Sequence, residues 1–171
     1  MLWTFYSAAL VAVVATVMVI TRRNAVHAVL YLIVSLLALA LAFYVLGAPF
    51  AAALEVIIYA GAIMVLFVFV VMLLNAGEPA DRREHQWLNM RAWAGPAVLS
   101  LILLVEMIAL FTRAGSQVAG SQVVDAKAVG VALFGPYLLA VEIASMLLLA
   151  GLVGAYHLGR RIKTLAPREE S

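Results

Sequence analysis

The stretch AAALEVIIYAGAIMVLFVFVVMLLN, Ala51 to Asn75, decides how the chain is read. Its 25 residues span roughly 37 Å as a helix at about 1.5 Å per residue, enough to cross a bilayer. Glu55 places an ionisable group near one end. Tyr59 follows at the i+4 spacing that puts two side chains on one face of an α-helix. Ala60-Gly61-Ala62 then interrupts with almost no side chain, and every residue from Ile63 through Leu74 is large and apolar. A lipid anchor requires none of these interruptions. The stretch reads as a helix that packs closely against neighbours and carries a polar group into the membrane.

The rest of the chain agrees. Of 171 residues, 67% are hydrophobic and 12% charged, a composition that belongs to the membrane class. No cysteine is present, which excludes disulfides, cysteine-ligated iron–sulfur clusters, covalent c-type haem and thiolate zinc sites in this chain. The start, Met-Leu-Trp-Thr-Phe-Tyr, has no basic region ahead of its apolar run and reads as a retained span, not a cleaved leader. Five apolar stretches are predicted as transmembrane helices, over about 2–21, 25–46, 51–75, 93–112 and 136–158. Each is helical because a spanning segment must satisfy its own backbone hydrogen bonds. Gly47-Ala48-Pro49 is a tight turn into the third span. Gly95-Pro96 is placed in the first turn of the fourth, where proline is tolerated. Gly135-Pro136 separates a short amphipathic lead-in from the fifth span. The expected fold is an all-α integral membrane protein, a single membrane domain without internal repeat, ending in a disordered tail over 166–171.

Basic residues set the expected orientation. Arg22 and Arg23 lie between spans one and two, Arg82, Arg83 and Arg91 between three and four, and Arg160, Arg161, Lys163 and Arg168 after five. These nine share one side, against Arg113 and Lys127 on the other. The positive-inside rule then puts the N-terminus outside and the C-terminus in the cytoplasm.

Three carboxyls lie within spans: Glu55, Glu106 and Glu142. A charge at a helix centre costs roughly 2.5–3.5 kcal/mol on insertion scales, so such residues face protein or water. With this orientation all three fall in the outer half of the membrane. They read either as a proton relay or a polar patch facing a partner's acidic residues, or as protonated acids hydrogen-bonded to backbone or to a neighbouring subunit. Tyr59 reads as a hydrogen-bond donor to Glu55 or a water, or as a packed aromatic. Gly61 reads as a close-packing residue, or as a hinge or π-bulge at which the helix slips by one residue. A slip rotates everything beyond it by about 100°. Met64, Val65, Leu66 and Phe67 then change faces, as the bulky residues of a dry gate would.

His27 opens span two and His157 ends span five. Both are read as interfacial residues rather than a haem ligand pair, and His85 as a solvated loop residue. No P-loop, dinucleotide fingerprint, nucleophile elbow or metal-binding helix occurs. The expectation is a chain with no catalytic residue, cofactor or metal of its own, which binds no nucleic acid.

Glu55 to Asn75, EVIIYAGAIMVLFVFVVMLLN, resembles the third transmembrane helix of subunit J of bacterial NADH:quinone oxidoreductase, respiratory complex I, whose mitochondrial counterpart is the sixth mitochondrially encoded subunit. RNAVHAVLYLI, Arg23 to Ile33, is similar to that family's start of span two, and YLLAVEIASMLLLAGLVGAY, Tyr137 to Tyr156, to its fifth span. Ala25 departs from the family, where many relatives have proline. The resemblance implies a cofactor-free, multi-pass subunit of the bacterial inner membrane. It implies a complex that carries flavin mononucleotide and iron–sulfur clusters, reduces quinone with NADH and pumps protons. The implied partners are the A-, H- and K-type subunits and the adjacent antiporter-like subunit. It also implies a third helix that switches between π-bulged and α-helical forms. Tyr59, Gly61, Met64, Val65 and Phe67 would be the switch, with Glu55 and Glu142 its polar neighbours. The alternatives are a J-like subunit of a cation/proton antiporter or membrane-bound hydrogenase, and a purely structural membrane subunit.

Overall fold

The computed structural model describes residues 2–22, 24–74, 90–112 and 123–160. Within them the chain is helical, and five helices are long and apolar enough to cross a membrane. The expected loop residues Arg82, Arg83, His85 and Arg113, and the tail 166–171, lie outside the described residues. The chain forms two compact units, dividing between Asp125 and Ala126.

In the first unit α1 (Leu2–Thr21) packs on α2 (Ala25–Val45). The contact is built from small side chains. Ala8 and Ala15 of α1 and Ala38 of α2 are fully buried, which lets the two backbones approach. Val11, Ala15, Val34 and Ala38 form a core cluster with Leu103. One polar joint crosses it. Thr16 donates to the Ala12 carbonyl (2.8 Å), and its oxygen lies 2.8 Å from the Ser35 hydroxyl, itself 3.1 Å from that carbonyl. α2 is the centre of the unit: nine of its 21 residues are buried, and it touches α1, the whole third span and the fourth.

Local chemistry fixes the ends of α2. Asn24 caps its start by accepting from the Val26 amide (2.9 Å). At the other end Gly47 takes φ 90°, the left-handed conformation that glycine adopts without penalty. The Gly47 amide bonds the Tyr44 carbonyl (3.1 Å) and that of Ala48 the Phe43 carbonyl (3.0 Å), the paired bonds of a Schellman stop. Pro49 follows as the first residue of α3 (Pro49–Leu54), where its missing N–H costs nothing. The Val124 amide also bonds the Gly47 carbonyl (2.9 Å), tying this turn down from a second direction.

The third span is not one α-helix. α3 passes into a nine-residue π-helix, Glu55–Ile63, and then into α4 (Met64–Leu74). The fourth span is α5 (Met90–Thr112). It starts earlier than the sequence reading allowed, so Pro96 lies inside the helix and not in its first turn. Its ring removes one i−4 bond, a defect that spanning helices absorb through their neighbours.

The second unit contains α6 (Ala126–Leu133) and α7 (Leu138–Gly159). A turn over 134–137 separates them at Gly135-Pro136. There the Phe134 amide bonds the Gly130 carbonyl (3.0 Å) and the Tyr137 amide the Ala132 carbonyl (3.1 Å). No residue of α7 is buried.

Candidate functional site

The π-helix and its two seams form the candidate site. At the first seam the Glu55 amide bonds the Ala51 and Ala52 carbonyls in the ordinary α pattern. Beyond it, amides reach five residues back instead of four. At the second seam the Met64 amide reaches the Gly61 and Tyr59 carbonyls and passes over that of Ala60. This is the point at which the helix carries one residue more than an α-helix would hold.

Gly61 suits this register. A Cβ added there would lie 3.1 Å from the Val56 carbonyl oxygen, the acceptor that the π pattern assigns to the Gly61 amide. Contacts that short are rarely made by real side chains, and the obstacle is backbone. Alanine would need the turn to open slightly. A branched residue would need it to open more.

Glu55 is buried, 8% exposed, as are Ala52 one turn before it and Met64 at the second seam. Its carboxyl makes no hydrogen bond among the described residues. The α-helical reading puts Tyr59 over Glu55. In the π register Ala60 takes that place, because the bond from the Glu55 carbonyl closes one residue later. Tyr59 moves to the other flank of Glu55, is half exposed, and is not hydrogen-bonded to it. Of the readings open for Tyr59, the hydrogen bond to Glu55 is not made among the described residues. Of the remaining switch residues, Met64 is buried at 7% exposure, whereas Val65 and Phe67 are 64% and 51% exposed.

The other carboxyls lie apart in sequence and differ in setting. Glu106 on α5 has one carboxyl oxygen, Oε2, buried without a hydrogen-bond partner among the described residues. Glu142 lies in the second unit, on α7, where its backbone carbonyl accepts from Ser145 Oγ (2.7 Å). The two helix-end histidines also differ. His157 is exposed, while His27 is nine-tenths buried in the first unit. No group of three or more metal-ligating side chains occurs among the described residues.

Two features escaped the sequence reading. Tyr31 is 2% exposed. The Arg22 guanidinium sits over its ring, 5.4 Å from the centroid, and donates to its hydroxyl (3.3 Å). A side chain on Gly95 of α5 would collide with that hydroxyl. Tyr31 thus joins the Arg22 end of α1 to α2 and α5. The Thr16–Ser35 joint is the second. Both had a signal: isolated polar groups inside otherwise apolar spans.

The family model for NADH-ubiquinone/plastoquinone oxidoreductase chain 6 matches residues 15–158. The chain is 61% identical over 160 residues to NADH-quinone oxidoreductase subunit J of Pseudomonas aeruginosa, covering 93% of this chain and 96% of that protein. The chain belongs to the subunit J family. Subunit J of Escherichia coli K12 is 57% identical over 92% of this chain and 86% of its own length. That of Buchnera aphidicola from Schizaphis graminum is 51% identical over 94% and 99%. The family match takes in the end of the first spanning helix and reaches the other four, and the π-helix, Gly61 and the three carboxyls fall inside it.

Proposed function

We propose that this chain is a membrane-arm subunit of a proton-pumping NADH-quinone oxidoreductase, in which its third span couples quinone reduction to proton movement. The span does so by alternating between the π register and a regular α register. The observation that carries this reading is a nine-residue π-helix inside the span that holds a buried carboxyl. π-helical turns are rare and concentrate at functional sites. The two registers differ in what they place beside Glu55. The α register sets the Tyr59 phenol, a proton donor and acceptor, on one flank of Glu55, and the π register moves it to the other flank and brings Ala60 beside the acid. One slip of the backbone therefore changes how a phenol is presented to a membrane carboxyl. It also rotates Val65 and Phe67 to new faces, which opens or closes a dry barrier.

In this proposal Glu55, Tyr59 and Glu142 border the proton path, and Gly61, Met64, Val65 and Phe67 form the gate. The flavin, the iron–sulfur clusters and the quinone belong to other subunits. Partners of the A-, H- and K-type and an antiporter-like subunit cover the exposed apolar faces. The membrane is the bacterial inner membrane, with the Arg22 end of α1 on the cytoplasmic side. Replacing Glu55 or Glu142 with glutamine tests the reading, because glutamine keeps size and hydrogen bonding but cannot release a proton. Quinone reduction by NADH and proton pumping are both expected to fall in the assembled complex. Unchanged rates in both variants would make these carboxyls structural.

A further inference from the structure

A cleft of about 210 Å³ lies between α2, α4 and α5. Val26, His27 and Leu30 of α2, Val68 and Met72 of α4, and Trp93 of α5 are on its walls. Every one of them is close to a helix end. Val26 is the second residue of α2, Trp93 the fourth of α5, and Met72 the third from the end of α4. The deepest on α4, Val68, is six residues from Leu74, so the cleft runs roughly 9 Å inward from the end of the bundle, at about 1.5 Å per residue. It has room for roughly seven groups the size of a water or a methylene, at ~30 Å³ each. Its walls offer water no polar partner.

A cation with unused donors stands beside this apolar slot. Arg22 is exposed, and its contacts to Met18 Sδ (3.5 Å) and the Tyr31 hydroxyl (3.3 Å) both use Nη2. Its Nε and Nη1 groups have no partner among the described residues. Tyr31 links Arg22 to the cleft. It follows Leu30 on α2 and packs against Gly95, two residues past Trp93 on α5. Arg91 lies two residues before Trp93 in the sequence. A second unused polar group is on the wall itself. His27 is nine-tenths buried and makes no hydrogen bond among the described residues. Its ring shows carbon to the cleft, and a half-turn of the ring puts nitrogen there instead.

We propose that the cleft and Arg22 together bind one anionic phospholipid, with an acyl chain in the cleft and the headgroup phosphate on the Arg22 guanidinium. The inference is independent of the register switch. An apolar slot at the end of a membrane bundle, with a guanidinium at its rim, is complementary to a molecule that is apolar along its chain and anionic at its head. Basic sites between spanning helices at the membrane surface take such headgroups, and the planar fork of arginine matches the oxygens of a phosphate. His27 supplies a donor at the depth of the ester carbonyls. Lipid tails already surround the protein, so escape from water does not draw the chain in. Contact does, because walls that face a void lose their partners. Choice among lipids then comes from charge: a zwitterionic lipid offers the same chain with no net charge at its head.

Photo-labelling of the assembled complex in phosphatidylethanolamine vesicles tests this. The probes are phosphatidylglycerol and phosphatidylcholine, each with a diazirine in the upper half of one acyl chain, and adducts are located by peptide mass spectrometry. Adducts on the cleft residues are expected to be about fivefold more abundant from phosphatidylglycerol, which is ~1 kcal/mol, the worth of one arginine beside anionic lipid. Arg22→Gln is expected to bring the two probes to parity. Val26→Phe fills the mouth of the cleft and is expected to remove the cleft adducts of both probes while adducts elsewhere on the chain persist. Equal labelling by the two probes in the wild-type complex would mean ordinary surrounding lipid and overturns the proposal. An absence of cleft adducts from either probe would mean that protein covers the cleft, and overturns it too. A phosphatidylglycerol excess that survives Arg22→Gln overturns the headgroup site. The wild-type comparison needs no variant, so it decides the matter even where Arg22→Gln fails to assemble.

Discussion

Substitution at Gly61 is the most direct perturbation of the π-helix, and its size follows from one distance. An added Cβ would lie 3.1 Å from the Val56 carbonyl oxygen, against 3.4 Å or more for an ordinary contact. The backbone must therefore give by about 0.3 Å, the difference of those two values, in a turn whose bonds are already longer-ranged than those of an α-helix. Forced shifts in packed regions cost ~1–3 kcal/mol. Gly61→Ala is placed at the low end, about 1 kcal/mol, which is roughly a fivefold change in an equilibrium. The α register carries no such contact, since its bonds close one residue sooner. Gly61→Ala is thus expected to shift the balance roughly fivefold toward α. Gly61→Val, with a branched and stiff side chain, is expected to shift it further. If turnover needs both registers, NADH-driven quinone reduction falls in that order, and proton pumping falls with it because one helix serves both. The assay is the two rates measured together on native membranes, normalised to the amount of assembled complex. Wild-type rates of both in a fully assembled Gly61→Val complex would refute the reasoning.

Two further perturbations address the frame around the third span. Ser35→Ala removes the hydroxyl that lies 2.8 Å from Thr16 and 3.1 Å from the Ala12 carbonyl. It is expected to cost ~0.6–1.7 kcal/mol, the range for hydrogen bonds between membrane helices, read as a lower thermal midpoint of the complex. Thr16→Ala is expected to cost less in that background than alone, because both hydroxyls serve one carbonyl, and strict additivity would break the assignment. Gly95→Ala drives a methyl group into the Tyr31 hydroxyl and is expected to cost ~1–3 kcal/mol, seen as reduced accumulation of the complex. Tyr31→Phe removes the obstructing atom and is expected to restore accumulation. No rescue would mean that Tyr31 is not held against α5.

Much of the architecture was legible because the membrane leaves so few choices. A span must be helical and must be apolar, so composition alone placed all five. The Gly47-Ala48-Pro49 turn was legible for a local reason: glycine, then proline, is what a helix stop followed by a helix start requires. Pro96 was misplaced because helix starts in a polar stretch carry a weak signal, and α5 begins at Met90. The burial of His27 is not legible from its position near a helix end, because the packing around α2 produces it. The i+4 placement of Tyr59 over Glu55 assumes 3.6 residues per turn, whereas the segment follows the π pattern.

The sequence by itself determined the class of protein, the number of spans and the residues capable of chemistry, since these depend on side-chain polarity summed along short windows. The acid in the third span and the small residues beyond it are visible in the chain alone. Which face each residue occupies was decided only by the tertiary structure. An i−4 and an i−5 bond use the same donors and acceptors, and the second is the rarer. The choice between them passes to contacts from elsewhere in the chain: the α2 surface that buries Ala52, Glu55 and Met64, and the Gly47 turn that holds the start of the span. The same distinction governs the Arg22–Tyr31–Gly95 joint. Its residues are far apart in sequence and meet only because small side chains let α1, α2 and α5 come close.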